Sequence, residues 1–319
     1  MSCRCLRAVG CVIALGAACS LTLSGTVSAY TDSVDTAANA FTAAPDWTAP
    51  TTAGSAIGRT SAYQTGFIAM GSTYYVYANL TDAGNPASGL GSATANVNSI
   101  TSGTTAAALT AGSYHAGGTS YGYRSAALTA GASLAAGSPS YSITATDKAS
   151  NAATQSFTTV VDNTAPIATG LQSTNTSGGT VGRLELGDTL TLTYSGTMDP
   201  YSILGGWTGA ATAIQVALVD GGGTTSDYLL VYSTAATPVQ LPLGTVTLGS
   251  AGYLQTGAGN YVVFGTTGAV TPSTMTQSGA TITIKLGTPG AASSTSTTAA
   301  AMTWSPSTSA TDIAGNATA

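Results

Sequence analysis

The chain carries very little charge. Asp, Glu, Lys and Arg together make up 6 % of its 319 residues, with one glutamate, Glu185, and one histidine, His115. A lone histidine cannot build a multi-histidine metal site, and so few basic residues exclude the positive surface on which nucleic-acid binding depends. Hydrophobic residues nevertheless reach 43 %, and 15 tyrosines are spread along the chain. We therefore predict a folded core rather than a disordered linker.

Cysteine is absent beyond residue 19, and all four copies lie in an N-terminal segment with the features of a secretory signal. Two arginines precede an apolar run, Val9 to Ala18, which is too short to span a bilayer. The small residues Val27-Ser28-Ala29 then form a cleavage site. These features predict a signal peptide over residues 1–29, with lipid attachment at Cys19 as the alternative.

Removal of this segment leaves an acidic protein. Two of the 7 basic residues are lost, so five remain against 12 acidic residues, a net charge of about −7. Such a charge argues against electrostatic docking on anionic lipid, and no second hydrophobic span follows. We expect a secreted or surface-associated protein without disulfides, cofactor or metal, and without membrane insertion after cleavage.

Residues 30–47 form a polar lead-in. Its phrases Tyr30-Thr31-Asp32-Ser33 and Asn39-Ala40-Phe41-Thr42-Ala43 resemble the segment after the signal peptide in bacterial biofilm-fibre and camelysin-type secreted proteins. The resemblance covers fewer than twenty residues and implies export.

Two pairs of matching phrases divide the rest of the chain. Trp47-Thr48-Ala49-Pro50 matches Asn163-Thr164-Ala165-Pro166, and Thr146-Asp147-Lys148-Ala149-Ser150-Asn151 matches Thr311-Asp312-Ile313-Ala314-Gly315-Asn316. They predict two related modules, residues 48–164 and 165–319. The opening phrases lie 116 residues apart (166 − 50) and the closing phrases 165 apart (312 − 147). The second module is therefore expected to be expanded by 49 residues, between Gly205 and Thr276.

Alternation of apolar and polar residues predicts an all-β fold. Tyr74, Val76, Ala78 and Leu80 share one face of a strand over residues 72–80, and a period of two is typical of a strand buried on one side. Short strands separated by Gly, Asn and Asp favour a β-sandwich. The other predicted strands cover residues 93–100, 121–128, 141–146 and 155–161 in the first module, and 188–194, 214–219, 228–232 and 282–286 in the second.

The phrases also carry a family resemblance. Asp162-Asn163-Thr164-Ala165-Pro166 and the closing Asp-x-Ala-x-Asn resemble those of bacterial immunoglobulin-like surface repeats. In the second module, residues 187–195 and 198–203 are similar to a variant found in secreted multi-repeat proteins. The resemblance covers most of residues 48–319 and implies two tandem immunoglobulin-like β-sandwiches. It names no ligand, because such modules serve as stalks, adhesins and enzyme appendages.

The acidic residues are the first candidates for functional sites. Asp199-Pro200 predicts a one-turn helix, because Asp accepts from free N–H groups and Pro suits the first helical position. The closing phrases at Asp147 and Asp312 predict side-chain-to-backbone turns. Calcium is the alternative, with Asp147 and Asp162 converging at the junction between the modules.

No catalytic constellation emerges. We predict a loop position for His115, since no motif marks partners for a Ser–His–acid triad. A glycosidase would need two carboxyl groups across a cleft, and the available ones are Glu185, Asp188, Asp220 and Asp227.

Two further groups of residues concern the surface of the protein. Exposed aromatic residues would favour carbohydrate binding: Tyr75, Tyr77, Trp207, Tyr253 and Tyr261. Three Asn-x-Ser/Thr triplets, at Asn79, Asn175 and Asn316, and a low-complexity loop, Ser293–Thr298, are considered incidental.

The second module lacks an evident final strand. Residues 152–161 follow the first closing phrase, whereas Ala317, Thr318 and Ala319 follow the second. With residue 319 as the terminus, we expect an open sheet edge that accepts a strand from a partner chain or from the lead-in, a route to self-assembly.

These observations predict a non-catalytic, structural or adhesive protein, whose partners would be cell-wall or matrix proteins or polysaccharides. A carbohydrate-binding accessory protein is the alternative, and a secreted hydrolase is the third interpretation.

Overall fold

The computed structural model describes residues 46–254, 261–266, 268–290 and 300–319. The predicted signal peptide, the lead-in up to residue 45 and the Ser293–Thr298 loop lie outside the described residues. Within them the chain is almost entirely β-structure, with one short helix, α1 (Pro200–Ile203). No helix in this part of the chain has the length and apolar character to cross a membrane.

A first unit comprises residues 46–161 and ten strands. They are β1 (Thr51–Gly58), β2 (Phe67–Ile68), β3 (Thr73–Thr81), β4 (Leu90–Asn96), β5 (Ala107–Ala116), β6 (Thr119–Ser125), β7 (Leu128–Thr129), β8 (Ser140–Asp147), β9 (Ala152–Thr158) and β10 (Val160–Val161). The main sheet has the order β1-β3-β6-β5-β4-β8-β9, with β7 paired to β3, and all its pairings are antiparallel. Strands β10 and β2 form a separate parallel pair.

The core of the first unit confirms the predicted alternation in β3. Tyr74, Val76 and Ala78 are each 0 % exposed and pack with Ile143 of β8 and Ile57 of β1. These residues share one face because every second side chain of a strand points to the same side. The opposite face is not open throughout, since Tyr77 is buried there with Ala116 and Tyr121. Apolar burial of this size is the main source of stability for a sheet with few ion pairs.

A second unit comprises the described residues from 162 onwards. Its strands are β11 (Ala168–Thr174), β12 (Thr189–Tyr194), β13 (Thr212–Val219), β14 (Tyr228–Tyr232), β15 (Thr245–Thr247), β16 (Tyr261–Phe264), β17 (Ser273–Ser278), β18 (Thr281–Lys285) and β19 (Thr303–Ser305). They form one sheet with the order β11-β12-β18-β17-β13-β14-β15-β19, and β16 pairs with β13.

The core of the second unit is separate from that of the first. The predicted inward residues Leu190 and Leu192 lie opposite Ile284 and Ile282 on the neighbouring strand, and Tyr194 belongs to the same buried cluster. The region predicted to be expanded contains β14, β15 and β16, which widen the sheet beside β13. The extra residues of this unit thus become additional strands.

Residues after the second closing phrase pair as the first residues of β9 do. Ala317 lies opposite Thr311 in an antiparallel bridge, just as Ala152 lies opposite Thr146. The N–H of Ala319 donates to the carbonyl of Pro166 at 2.9 Å. Within residues 300–319, β19 is the one extended strand, and the pairing after the closing phrase is a single bridge. The addition of a strand from a partner chain or from the lead-in stays a prediction.

Candidate functional site

The closing phrase of the first unit folds into a loop held by its own side chains. Asp147 accepts from the backbone N–H of Asn151 through Oδ1 at 2.8 Å and from the Asn151 side-chain amide through Oδ2 at 2.7 Å. The same amide donates to the carbonyl of Asp46 at 3.1 Å, and Asp46 in turn accepts from the N–H of Thr48 at 2.9 Å. The closing phrase is thereby joined to the first residue of the unit.

The second unit repeats this arrangement bond for bond. Asp312 accepts from the N–H of Asn316 at 2.8 Å and from its side-chain amide at 2.9 Å. That amide donates to the carbonyl of Asp162 at 2.9 Å, and Asp162 accepts from the N–H of Thr164 at 2.9 Å. The predicted turns at both closing phrases are therefore confirmed.

The expected meeting of Asp147 with Asp162 is wrong. The two residues precede and follow β9, which runs between them with seven residues and separates them by roughly 20 Å at about 3.3 Å per residue. Asp147 lies instead with Asp46 and Asp82, and one carboxylate oxygen from each falls within 4.8 Å of the others. We call these three residues the acidic cluster.

The acidic cluster is held mainly by backbone amides. Asp46 accepts from the N–H groups of Thr48 and Ser88, both at 2.9 Å, and these bonds lower the pKa of Asp46 below its ordinary value. Asp82 accepts from the N–H of Gly89 through Oδ2, whereas its buried Oδ1 has no hydrogen-bond partner among the described residues. This cluster is the one group of three metal-ligating side chains among the residues that the structure describes.

At the corresponding end of the second unit, a cation from the first unit is bound. Arg59, which follows β1, places Nη2 2.8 Å from Oδ2 of Asp199, and Asp199 is 2 % exposed. The same Nη2 donates to the carbonyls of Asp312 and Ile313 at 3.3 and 3.4 Å. Gly315 admits the guanidinium, since a Cβ there would stand 2.9 Å from Nη1. The closing loop and the helix cap of one unit are thus joined to the other unit by one side chain.

Asp199 caps the helix α1 and also binds the first unit, and the sequence predicted the first of these roles. Its side chain caps α1 by accepting from the N–H of Tyr201 at 3.0 Å, as predicted. It also accepts from the N–H of Tyr63 in the first unit at 3.1 Å. Burial raises the pKa of Asp199 above its ordinary value, although the Tyr63 N–H and the Arg59 guanidinium favour the charged form.

Further contacts complete the junction between the units. The side chain of Asn163 accepts from the N–H of Met70 and donates to the carbonyl of Leu134, both at 2.8 Å. The rings of Tyr63 and Tyr201 are 5.6 Å apart, and a polar cleft of about 270 Å³ lies beside them. The junction therefore combines a buried ion pair, an aromatic contact and hydrogen bonds to backbone.

Three of the aromatic residues proposed for carbohydrate binding are buried. Trp207 is 5 % exposed and donates from Nε1 to the carbonyl of Ala210 at 2.6 Å, while Tyr253 and Tyr77 are 4 % and 2 % exposed. Tyr75 is half-buried and stacks on the guanidinium of Arg124. Tyr261, at 62 % exposed, is the one member that projects into solvent. The predicted exposure was wrong for Trp207, Tyr253 and Tyr77. Trp207 and Tyr253 lie in connections between strands, but their rings pack into the hydrophobic core of the second unit.

The remaining candidate carboxylates hold loops. Asp188 accepts from the N–H groups of Thr176 and Glu185, and Asp227, which is 0 % exposed, accepts from Gly221 and Leu254. Asp220 accepts from Gly222 within a turn, and Glu185 accepts from Thr180. An apolar cleft of about 240 Å³ in the second unit has Asp188 as its single acidic lining residue among those described.

Two further predictions concern polar side chains. His115 lies in β5 rather than in a loop, where Nδ1 is 3.0 Å from the hydroxyl of Ser120 across the hairpin. The alternation rule missed this strand because its residues are mostly small. Of the Asn-x-Ser/Thr triplets, Asn316 is used in the closing loop, and Asn79 bonds to the backbone of Ser120 and Gly122.

Comparison with known proteins adds little. No known family matches the sequence, and no curated protein matches it. Among solved structures, the chain is similar to dimeric latent PorU from Porphyromonas gingivalis, with 14 % identity over 76 % of this chain and a TM-score of 0.23. The match spans 20 % of that chain. Agreement at this level carries no argument about fold or function.

Proposed function

We propose that this protein is a non-catalytic, secreted or surface-associated structural protein, in which two tandem units form one stiff spacer. The observation that carries the proposal is the junction, where Arg59 of the first unit joins Asp199 and the closing loop of the second. A buried ion pair with further hydrogen bonds fixes relative orientation more firmly than a flexible linker would. Stiffness between units is what a stalk or matrix component requires.

The finer fold assignment belongs to the same proposal. In the first unit, β5 pairs with β6 along most of its length and with β4 through Ala107 and Ala108. A strand that changes partners in this way passes between two layers. Strand β1 also lies beside β8 and β9, and the hydroxyls of Ser55 and Tyr141 are 3.1 Å apart. These features support an immunoglobulin-like sandwich.

Distance measurements between spin labels would test the stiffness. The mature chain has no cysteine, so single cysteines at the exposed Thr110 and Thr225 would label one site in each unit. We expect a narrow distance distribution that broadens in Arg59→Ala. A pair within the second unit, at Thr225 and Val239, is the matched control and should not change. A broad distribution in the unmodified junction would contradict the proposal.

A further inference from the structure

The second unit has an apolar cleft of about 240 Å³ at one end of its sheet. The two edge strands of this sheet, β11 and β19, approach each other, so the sheet curls round its core. At the end in question Thr174 pairs with Thr189. Thr247 pairs there with Tyr228 and Thr303. These residues or their chain neighbours line the cleft, which is therefore the mouth of the curled sheet, a usual place for ligand sites.

The lining of the cleft is mostly apolar. Four core side chains reach it, each at most 6 % exposed: Leu190, Leu229, Leu248 and Leu286. Val181 also lines the cleft and is 74 % exposed. Buried and exposed apolar side chains thus border the same space. Covering such a surface with an apolar molecule removes it from water, which is favourable.

One wall of the cleft is held in place by the protein's own hydrogen bonds. Residues 181–184 of this wall belong to the connection between β11 and β12. Asp188 accepts from the N–H groups of Thr176 and Glu185, both at 2.8 Å, and Glu185 accepts from the N–H of Thr180. These bonds fix the connection without a ligand. A preformed site loses less conformational freedom when a ligand binds.

The stretches of chain next to the cleft do not supply a side chain that would fill it. Residues 255–260 and 291–299 lie outside the described residues and adjoin Leu254 and Ala300 in sequence. They read Gln-Thr-Gly-Ala-Gly-Asn and Ala-Ala-Ser-Ser-Thr-Ser-Thr-Thr-Ala. Neither contains an apolar residue larger than alanine. An apolar occupant therefore comes from elsewhere.

The charges beside the cleft favour an uncharged ligand. Arg183 is the one basic lining residue among those described, and its Nε lies 3.8 Å from Oε1 of Glu185. Asp188 adds a second carboxylate. One positive charge thus stands against two negative ones, on a chain that is acidic overall. A ligand with a carboxylate would be repelled, whereas a neutral molecule would not.

We propose that this cleft binds a small, uncharged, apolar molecule, such as a medium-chain alcohol. A cavity of about 150 Å³ lined by Leu, Ile and Phe takes up benzene. In proportion, a volume of about 240 Å³ suits a molecule of about ten non-hydrogen atoms. Ser173, Thr174 and Asn175 border the cleft, and such side chains can bond a hydroxyl group. This ligand site is additional to the proposed spacer function and does not depend on it.

The test is an NMR titration of the mature chain with 1-octanol, followed through leucine and methionine methyl groups. We expect saturable shifts for Leu229, Leu248 and Met302, with a Kd of roughly 0.1 mM, because a ligand of this size gains modest affinity. Leu109 in the core of the first unit should not respond. Sodium octanoate is the charged analogue of the same length and should bind about tenfold more weakly.

Two neighbouring alanines provide matched variants. Ala300 lines the cleft, whereas Ala301 is exposed and does not. Ala300→Phe should fill the cleft and weaken octanol binding by at least about tenfold, because apolar contact area is lost. Ala301→Phe should leave the Kd unchanged. Val181→Asp leaves the core intact and should weaken binding about threefold, with Val239→Asp, at an exposed valine outside the cleft, as its control.

Four results would overturn the proposal. They are the absence of shifts at about 1 mM octanol, equal shifts in Ala300→Phe and the unmodified chain, octanoate binding as tight as that of octanol, and contacts between the Phe41 ring and the cleft methyl groups in the ligand-free chain. The last result would make the lead-in the occupant. Saturable binding that Ala300→Phe removes and Ala301→Phe retains would support the proposal.

Discussion

The two closing loops have the same internal bonds and different surroundings. Asp147–Asn151 and Asp312–Asn316 each tie the closing phrase of a unit to the aspartate at the start of that unit. The loop at Asp312 faces the guanidinium of Arg59, whereas the loop at Asp147 faces the carboxylates of Asp46 and Asp82. The local motif determines the loop, whereas the contact that the loop makes depends on side chains that are far away in sequence. Variants that remove the internal bonds of a loop should therefore differ in effect from variants that remove its long-range contact.

The largest effect is expected for Arg59→Ala. Removal of one partner of a buried ion pair leaves the other charge uncompensated, which costs about 3 kcal/mol, and Asp199 is 2 % exposed. The second unit should lose this free energy of unfolding in urea, monitored by the buried Trp207. Arg124→Ala is the matched control, because Arg124 stacks on Tyr75 and Tyr114 of the first unit. An equal loss in both variants would show that the junction contributes nothing specific.

Removal of the closing asparagines should come next. Asn151→Ala and Asn316→Ala each delete two side-chain hydrogen bonds and leave a buried aspartate oxygen without its donor. We expect a loss of about 2 kcal/mol in either unit. Hydrogen–deuterium exchange would localise each loss to its own unit. Destabilisation of both units by one variant would contradict the description of two separate cores.

Two buried tyrosines should respond with opposite signs. The hydroxyl of Tyr194 in the second unit is buried and has no partner in the part of the chain that the structure describes, so Tyr194→Phe should leave stability unchanged or raise it by up to about 1 kcal/mol. Tyr141 of the first unit shares a hydrogen bond with Ser55 at 3.1 Å, and Tyr141→Phe should cost about 1 kcal/mol. Thermal unfolding of both variants would measure the difference. A loss of stability in Tyr194→Phe would reveal a partner for its hydroxyl.

Regular apolar alternation made much of the fold predictable. β3, β12 and β18 were identified because their inward residues are large and evenly spaced. β5, with the sequence Ala-Ala-Leu-Thr-Ala-Gly-Ser-Tyr-His-Ala, was missed because small residues produce no such contrast. It is stabilised by pairing with β6 and β4, a long-range effect that local propensity does not contain.

The candidate sites were predictable only where the partners are close in sequence. The cap at Asp199 and the two closing turns follow from side chains that bond within four residues. The role of Asp46 was missed, although it stands before Trp47 as Asp162 stands before Asn163. The pairing of Arg59 with Asp199 joins residues 140 positions apart, and no motif marks either residue for the other.

The smallest expected effect is a difference in acid titration between the two ends. Hydrogen bonds from Ser88 and Thr48 hold the pKa of Asp46 below its ordinary value, whereas burial raises the pKa of Asp199. Asp46 therefore contributes stability above the ordinary aspartate pKa of about 3.9, and this contribution is lost as the pH falls through its lower folded value. For Asp199 the sign is reversed, because the folded state binds its proton more readily than the unfolded state. Its ionisation disfavours folding at neutral pH, and this penalty is relieved as the pH falls through the raised value.

Carboxyl carbon shifts measured by NMR would give both midpoints, with that of Asp46 below and that of Asp199 above about 3.9. In Arg59→Ala the midpoint of Asp199 should rise further, since the guanidinium that favours its charged form is gone, while that of Asp46 should not move. Equal titration midpoints for Asp46 and Asp199 would show that the two carboxyl groups have the same environment.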